Sequence, residues 1–272
     1  MGSASIPTTR PDPMLFFKRI LNRPEPDIGP DPVEAPPAVE RRGAQRFKVH
    51  PDSQLKAVLS FIGRDDTGTP MSDSRAGWNW RGRVLDCSEQ GVRLQMGPIV
   101  KGKKGDDGEL SLEMDDFFLK IPCHIANIAE EHSGIVFGLL HDIKGDPEAL
   151  QSYHQLLDVM ALGSILRRKF KRNTVDGSGY LTEQYESDWP ARLTVWRNAE
   201  DLTPAAFEFL LKDSLVRGAA GSELQYLAGA DGASAATSAQ AGEIRRLFRW
   251  VVPNMSPAVP ADVRKFLLGC DS

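Results

Sequence analysis

Val84-Leu85-Asp86-Cys87-Ser88-Glu89-Gln90-Gly91-Val92-Arg93-Leu94-Gln95-Met96 is the stretch that decides the fold. Val92, Leu94 and Met96 alternate with Arg93 and Gln95, the period of a strand with one apolar face. Just upstream, Trp78-Asn79-Trp80-Arg81-Gly82-Arg83-Val84 alternates in the same way. Between the two runs, Asp86-Cys87-Ser88-Glu89-Gln90-Gly91 has the composition of a turn. Outward from this pair, Leu55 to Ile62 reads as an earlier strand, and Gly63 to Gly77 as an exposed hairpin loop. Downstream, Leu110, Leu112 and Met114 alternate, and Phe118–Ile128 and Ile135–Leu140 complete the set. Six short strands with Gly/Asp punctuation predict an antiparallel barrel or sandwich. Closure is favoured because an open sheet leaves its edge strands unpaired.

A helix follows. Asp146 suits its cap and Pro147 its first position. Leu150, Tyr153, Leu156, Leu157, Met160, Ala161 and Leu166 recur at helical spacing. Arg167, Arg168, Lys169, Lys171 and Arg172 then place positive charge where the carbonyl end of the helix dipole is expected. The last hundred residues read as a smaller α+β or helical region, residues 169–272. It has a strand over Trp189–Trp196 and a helix opened by Thr203-Pro204 and running through Phe207, Leu210, Leu211 and Leu215. A flexible loop over Gly229–Gly242 and helices near Glu243–Val251 and Ala261–Leu268 complete it.

Residues 1–39 form a proline-rich tail. Residues 1–40 hold nine of the 19 prolines, so regular backbone hydrogen bonding is interrupted throughout. Within it, 13–22 is a short amphipathic segment suited to docking on the body of the protein, on a partner or on an anionic membrane surface. The formal charge of −4 disfavours a general DNA or RNA binder. Cys87, Cys123 and Cys270 form no CxxC pair, which fits a reducing cytoplasm. No run of apolar residues is long enough for a transmembrane helix, and no signal peptide is read at the N-terminus.

Two short elements carry chemistry. One is Arg41-Arg42-Gly43-Ala44-Gln45-Arg46-Phe47, ahead of the strands; the other is the turn from Asp86 to Gly91. A guanidinium fork donates to guanine O6 and N7, grips a phosphate or stacks on a base. A carboxylate such as Asp86 accepts from guanine N1 and N2. Ser88 donates to phosphate or holds the turn, and Gly91 permits a positive φ or close ligand approach. Other features read blandly. Trp78 and Trp80 serve packing, His124, His132 and Cys123 lack the spacing of a zinc site, and Gly102–Gly108 is a hairpin turn rather than a phosphate loop.

Arg42-x-x-x-Arg46 followed by Asp86-x-Ser88-x-x-Gly91 resembles the paired signature of the PilZ domain family, over about Glu40 to Leu166. The resemblance implies a PilZ domain over 40–168: a six-stranded antiparallel β-barrel with a C-terminal helix. Its ligand would be the bacterial second messenger cyclic di-GMP, and its arginine segment a flexible arm folding over that ligand. It makes Arg41, Arg42, Arg46, Asp86, Ser88 and Gly91 the ligand-binding residues. Arg41, just before the first motif arginine, implies binding of two intercalated ligand molecules. The expectation is a cytoplasmic receptor, not an enzyme, with no cofactor and no metal. It would signal to a protein partner or to the C-terminal region in a process such as motility, biofilm formation or exopolysaccharide production. The alternatives are an adaptor that has lost ligand binding, and an enzyme with catalysis in the C-terminal region.

Overall fold

The computed structural model describes residues 44–62, 79–169, 174–175 and 179–270. The proline-rich tail with its 13–22 segment, Arg41, Arg42, the Gly63–Gly77 loop, Trp78, Lys171 and Arg172 lie outside the described residues. No helix among the described residues is long and apolar enough to cross a membrane.

The first sheet is built from β1 (Arg46–Lys48), β2 (Lys56–Phe61), β3 (Asn79–Ser88), β4 (Gly91–Met96), β5 (Asp107–Met114), β6 (Phe117–Glu131) and β7 (Gly134–His141). Its order is β1-β3-β2-β5-β6-β7-β4, and a further β3–β4 pairing joins the ends. The six strands β2 to β7 therefore form a closed antiparallel barrel, and β1 adds to the lower part of β3. The alternation read from sequence is the barrel's inside–outside pattern. Leu94, Leu110, Leu112, Ile121 and Phe137 are fully buried inside it. Helix α1 (Pro147–Ser164) follows, with the Asp146 carboxylate accepting from the Glu148 and Ala149 amides and Pro147 at its start.

Helix α1 is shorter than expected. It ends at Ser164, and Arg167–Arg168 is already a strand, β8, paired with Tyr185 and Glu186. Arg167, Arg168 and Lys169 therefore do not sit on the carbonyl end of the helix. Arg168 binds Glu183 and Lys169 binds Glu186 across the strands instead.

The second sheet contains β8, β9 (Thr174–Val175), β10 (Tyr180–Glu186), β11 (Ala191–Asn198), β12 (Pro204–Leu211), β13 (Ser214–Ala219), β14 (Gln225–Ala228) and β15 (Ser234–Ala235). The expected helix from Thr203-Pro204 is in fact the β12–β13 hairpin. Phe207, Phe209 and Leu211 are fully buried on one face while Glu208 and Leu210 point to the other. Helix-forming residues yield here to a period of two and to a β11 neighbour that pairs with almost every residue of β12. The turn closes at Lys212, whose φ is 58°.

The flexible loop read over Gly229–Gly242 is also replaced by structure. It holds β15 and the first turn of α2 (Ser238–Val251). Thr237 and Gln240 form a reciprocal capping box there, with Gln240 N–H donating to the Thr237 hydroxyl oxygen and Thr237 N–H to Gln240 Oε1. A short 3₁₀ turn, Val252–Asn254, and α3 (Ala261–Cys270) end the fold.

Both sheets share one core through α1. Phe207 stacks on Phe248 of α2 at 5.8 Å and meets Phe266 of α3 edge-on at 6.0 Å. A Cβ on Gly163 would lie 2.9 Å from the Val251 carbonyl oxygen, so α1 and the end of α2 touch backbone to backbone. Phe47 of β1 packs edge-on against Trp189 at 5.8 Å, and Phe117 against Trp250 at 5.8 Å. Arg264 of α3 donates to His50 Nε2 at 2.7 Å, and Lys212 pairs with Asp158 of α1 at 2.7 Å. The strand that carries Arg46 thus touches the β10–β11 turn of the second sheet through Phe47.

Candidate functional site

Two bulges build the outer wall of the barrel. On β3 the register against β4 shifts between Val84 and Asp86. Strict alternation from buried Val84 would turn Asp86 into the barrel. The extra residue instead sends Cys87 inward, fully buried, and puts Asp86 opposite Arg93 on the outer face. On β6 a second shift falls between Ile125 and Asn127. It keeps Ile125 and Ile128 on the inner side and sets Asn127 and Ala129 outward.

Asp86 is held between two guanidinium groups. Arg46 Nη1 donates to Oδ1 at 2.6 Å and Arg93 Nη1 to Oδ2 at 3.0 Å. The carboxylate side chain is only 8% exposed, whereas Arg46 and Arg93 keep 30% and 36% of theirs. Arg93 also reaches Glu131 at 3.5 Å. Beside the two arginines runs a groove of about 430 Å³ lined by Arg46, Arg93, Asn127, Ala129, Val136 and Gly138. It offers cationic donors on one side, a carboxamide on the other and an apolar floor between. That combination suits a flat, anionic, hydrogen-bonding ligand.

Arg46, Asp86, Ser88 and Gly91 all lie within one small region where β1, β3 and β4 meet, and they divide into two groups. Arg46 lines the groove, and Asp86 holds it there from behind. Ser88 and Gly91 lie beneath it and hold the turn. The Ser88 hydroxyl donates to the Gly91 carbonyl at 3.3 Å and is buried. From α1, the Tyr153 hydroxyl donates to the Ser88 carbonyl at 2.9 Å, with the Gly91 carbonyl at 3.3 Å. Burial holds the Tyr153 hydroxyl well above its usual pKa, so it stays a donor. Gly91 does not use the left-handed freedom expected of it; among the described residues, the positive-φ glycines are others. It is needed for close approach to its own neighbour, since a Cβ there would lie 1.9 Å from the Leu139 carbonyl oxygen. Cys87 is sealed in the core, and burial first, then Asp86, pushes its thiol up to about 12.

Arg46 is not on a free arm: β1 pairs Arg46 with Ser88 and Lys48 with Asp86. Sequence reasoning missed Arg93, Asn127 and Gly138. Arg93 was within reach, being two residues past Gly91 on the polar side of an alternating strand. Asn127 was not, because its outward aim depends on the β6 bulge. Among the described residues, no group of three or more His, Cys, Asp or Glu side chains gathers as for a metal ion.

Comparison with known proteins agrees with this architecture. The model of the PilZ domain family matches residues 63–154, which contain the Asp86–Gly91 turn, Arg93, Asn127 and Gly138 but not the arginine lead-in. No curated protein matches the chain. Three similar solved structures come from distant proteins. The PilZ domain with c-di-GMP of YcgR from Escherichia coli is 12% identical, with a TM-score of 0.32, over 43% of this chain and 88% of that one. The K. pneumonia MrkH–c-di-GMP complex is 16% identical, with a TM-score of 0.33, over 44% of this chain and 51% of that one. The Borreliella burgdorferi PlzA protein in complex with c-di-GMP is 10% identical, with a TM-score of 0.29, over 79% of this chain and 95% of that one. The closed six-stranded barrel and the family match together identify this chain as one that carries a PilZ domain.

Proposed function

We propose that the chain is a receptor for cyclic di-GMP, bound in the groove beside Arg46 and Arg93. The observation that carries this reading is the convergence of Arg46, Asp86 and Arg93 at one end of an apolar-floored groove. Asp86 acts chiefly as the anchor that aims two guanidinium forks. The forks meet a guanine at O6 and N7 or a phosphate oxygen. Arg41 and Arg42 precede Arg46 in the chain and add charge for a ligand bearing two phosphates. Bound as an intercalated pair, the ligand carries four phosphate charges, which suits the third arginine. Ser88 and Gly91 support the site by fixing the turn.

The output runs through β1. Phe47, next to Arg46, packs on Trp189 in the turn between β10 and β11 of the second sheet. A ligand that draws Arg46 from Asp86 changes how β1 seats against that sheet, and so alters contacts of the C-terminal region with a partner. Such a shift can be no larger than the ligand's preference for one arrangement over the other. The process so controlled is of the class that cyclic di-GMP governs in the bacterial cytoplasm, such as motility, biofilm formation or exopolysaccharide production.

Titration calorimetry tests the reading. Cyclic di-GMP is expected to bind, GTP and cyclic di-AMP to bind at least tenfold more weakly, and Arg46→Ala to lower affinity by about tenfold or more. Two ligands per protomer support the intercalated pair, and one excludes it. Absence of heat with cyclic di-GMP overturns the receptor reading. One observation favours a ligand-independent adaptor instead: Asp86 is already satisfied by two arginines. Partner binding indifferent to both the nucleotide and Arg46→Ala decides for that alternative.

A further inference from the structure

We infer that Asn127, rather than Asp86, reads the amino edge of the purine, so that the groove selects guanine through a residue outside the motif pair. The inference rests on the reading of the groove as a nucleotide site. Arg93, Gly138 and Asn127 form one row across β4, β7 and β6, because Arg93 pairs with Gly138 and Gly138 with Asn127. Neighbouring strands lie about 4.8 Å apart, so the two rims stand about 10 Å apart with no side chain between them. The next row, Val136 opposite Ala129, gives the slot an apolar floor.

Gly138 is not demanded by the fold. A Cβ there would lie 3.4 Å from the Asn127 Cβ, an ordinary contact. What the missing side chain does is leave room for a flat ring between an arginine and a carboxamide.

The chemistry of the two rims then divides the base. A guanidinium fork on the β4 side takes O6 and N7. The opposite edge of the guanine, with its 2-amino group and N3, faces β6. Asp86 lies behind the arginines, 8% exposed and outside the groove's lining, whereas Asn127 is part of that lining. Asn127 is exposed, and its carboxamide has no partner among the described residues. Its Oδ1 accepts from the 2-amino group while its Nδ2 donates to N3. Adenine fails on both sides, because it lacks the 2-amino group and presents an amino donor to the arginines.

The test compares cyclic di-GMP with cyclic di-IMP, which lacks only the 2-amino group, by calorimetry on the full chain. The wild type is expected to prefer cyclic di-GMP by about tenfold. Asn127→Ala is expected to weaken cyclic di-GMP by well over tenfold and cyclic di-IMP, which keeps N3, by only a few-fold, and so to abolish the preference. Arg93→Ala should weaken both ligands alike. An Asn127→Ala protein that unfolds at the wild-type temperature yet keeps the preference overturns this inference and leaves the receptor reading standing. A wild-type protein that binds neither dinucleotide overturns the receptor reading, and this one with it.

Discussion

Each sheet of this molecule contains a carboxylate gripped by two arginines, and the two grips differ in burial. On the barrel wall, Asp86 lies between Arg46 and Arg93, whose side chains remain about one third exposed. In the second sheet, Glu183 lies between Arg168 and Arg197, and Arg197 is only 8% exposed. There the Tyr185 hydroxyl donates to Glu183 at 3.0 Å, and Arg197 also donates to the Leu202 carbonyl at 2.8 Å and to both oxygens of Asp262. Burial alone would lower the Arg197 pKa, but the bonds to Asp262 and Glu183 outweigh it and the net shift is upward. The second grip, with Arg168 39% and Asp262 53% exposed but Arg197 buried between them, ties α3 to the sheet. The first keeps its cations at the surface beside a groove. The same ion pairing therefore makes a fastener in the second sheet and, in the proposed reading, a binding site on the barrel, where the donors still face water.

The sharpest way to break this contrast is to make the same substitution in both grips. Arg197→Met leaves Glu183 buried with less compensation and should cost about 3 kcal/mol of stability. Arg93→Met removes a half-exposed cation and should cost no more than about 1 kcal/mol. In calorimetry the order reverses: Arg93→Met loses cyclic di-GMP affinity by about tenfold or more, while Arg197→Met leaves it nearly unchanged wherever the protein is folded. Urea unfolding alongside the titrations reads both quantities. Equal stability losses at the two positions would remove the distinction between fastener and site.

The barrel was legible because its strands alternate cleanly and the acidic Ser-Gly turn is local. What escaped the sequence depends on partners far along the chain. The bulges before Asp86 and Asn127 change which residues face out, and nothing in the residues themselves marks them. Arg46–Lys48 becomes a strand only because β3 extends past β2 and offers it an edge. The β12–β13 hairpin reads as a helix in sequence because Ala, Glu, Leu and Lys make up much of Pro204–Ser214, and Thr-Pro imitates a helix start. The capping box at Thr237 was a readable signal, obscured by the small residues around it. As for the candidate site, Asp86 and Arg46 were found from their motifs, but the groove's far rim is a product of folding.

A smaller effect sharpens the link between the groove and the body of the protein. Tyr153 is fully buried and donates to the Ser88 carbonyl under the turn. Tyr153→Phe keeps the ring and removes that bond, so it should cost about 1 kcal/mol. The loss should be local. Amide exchange at Glu89–Gly91 should rise more than exchange in β12, and cyclic di-GMP affinity should fall by a few-fold. Unchanged exchange in the turn would mean that Ser88 and Gly91 hold it without help from α1.

The smallest expected effect concerns the acid that seals the second grip. Hydrogen bonding from Arg197 holds the Asp262 carboxyl below its ordinary pKa. A carboxyl depressed in the folded state stabilises the fold above its unfolded value of about 3.9, and that contribution fades as pH falls through the lower folded value. The stability difference between wild type and Asp262→Asn should therefore be constant near neutrality and shrink below about pH 4, as read by urea unfolding across pH. The barrel offers the control. Glu131 occupies the corresponding outer place on Arg93, but at 3.5 Å and with 44% of its side chain exposed. Glu131→Gln should change stability at neutral pH by little, because a long, solvated pair contributes little to stability. In the proposed reading that weakness lets Arg93 exchange Glu131 for a ligand, whereas Arg197 is buried and committed to Glu183, Leu202 and Asp262.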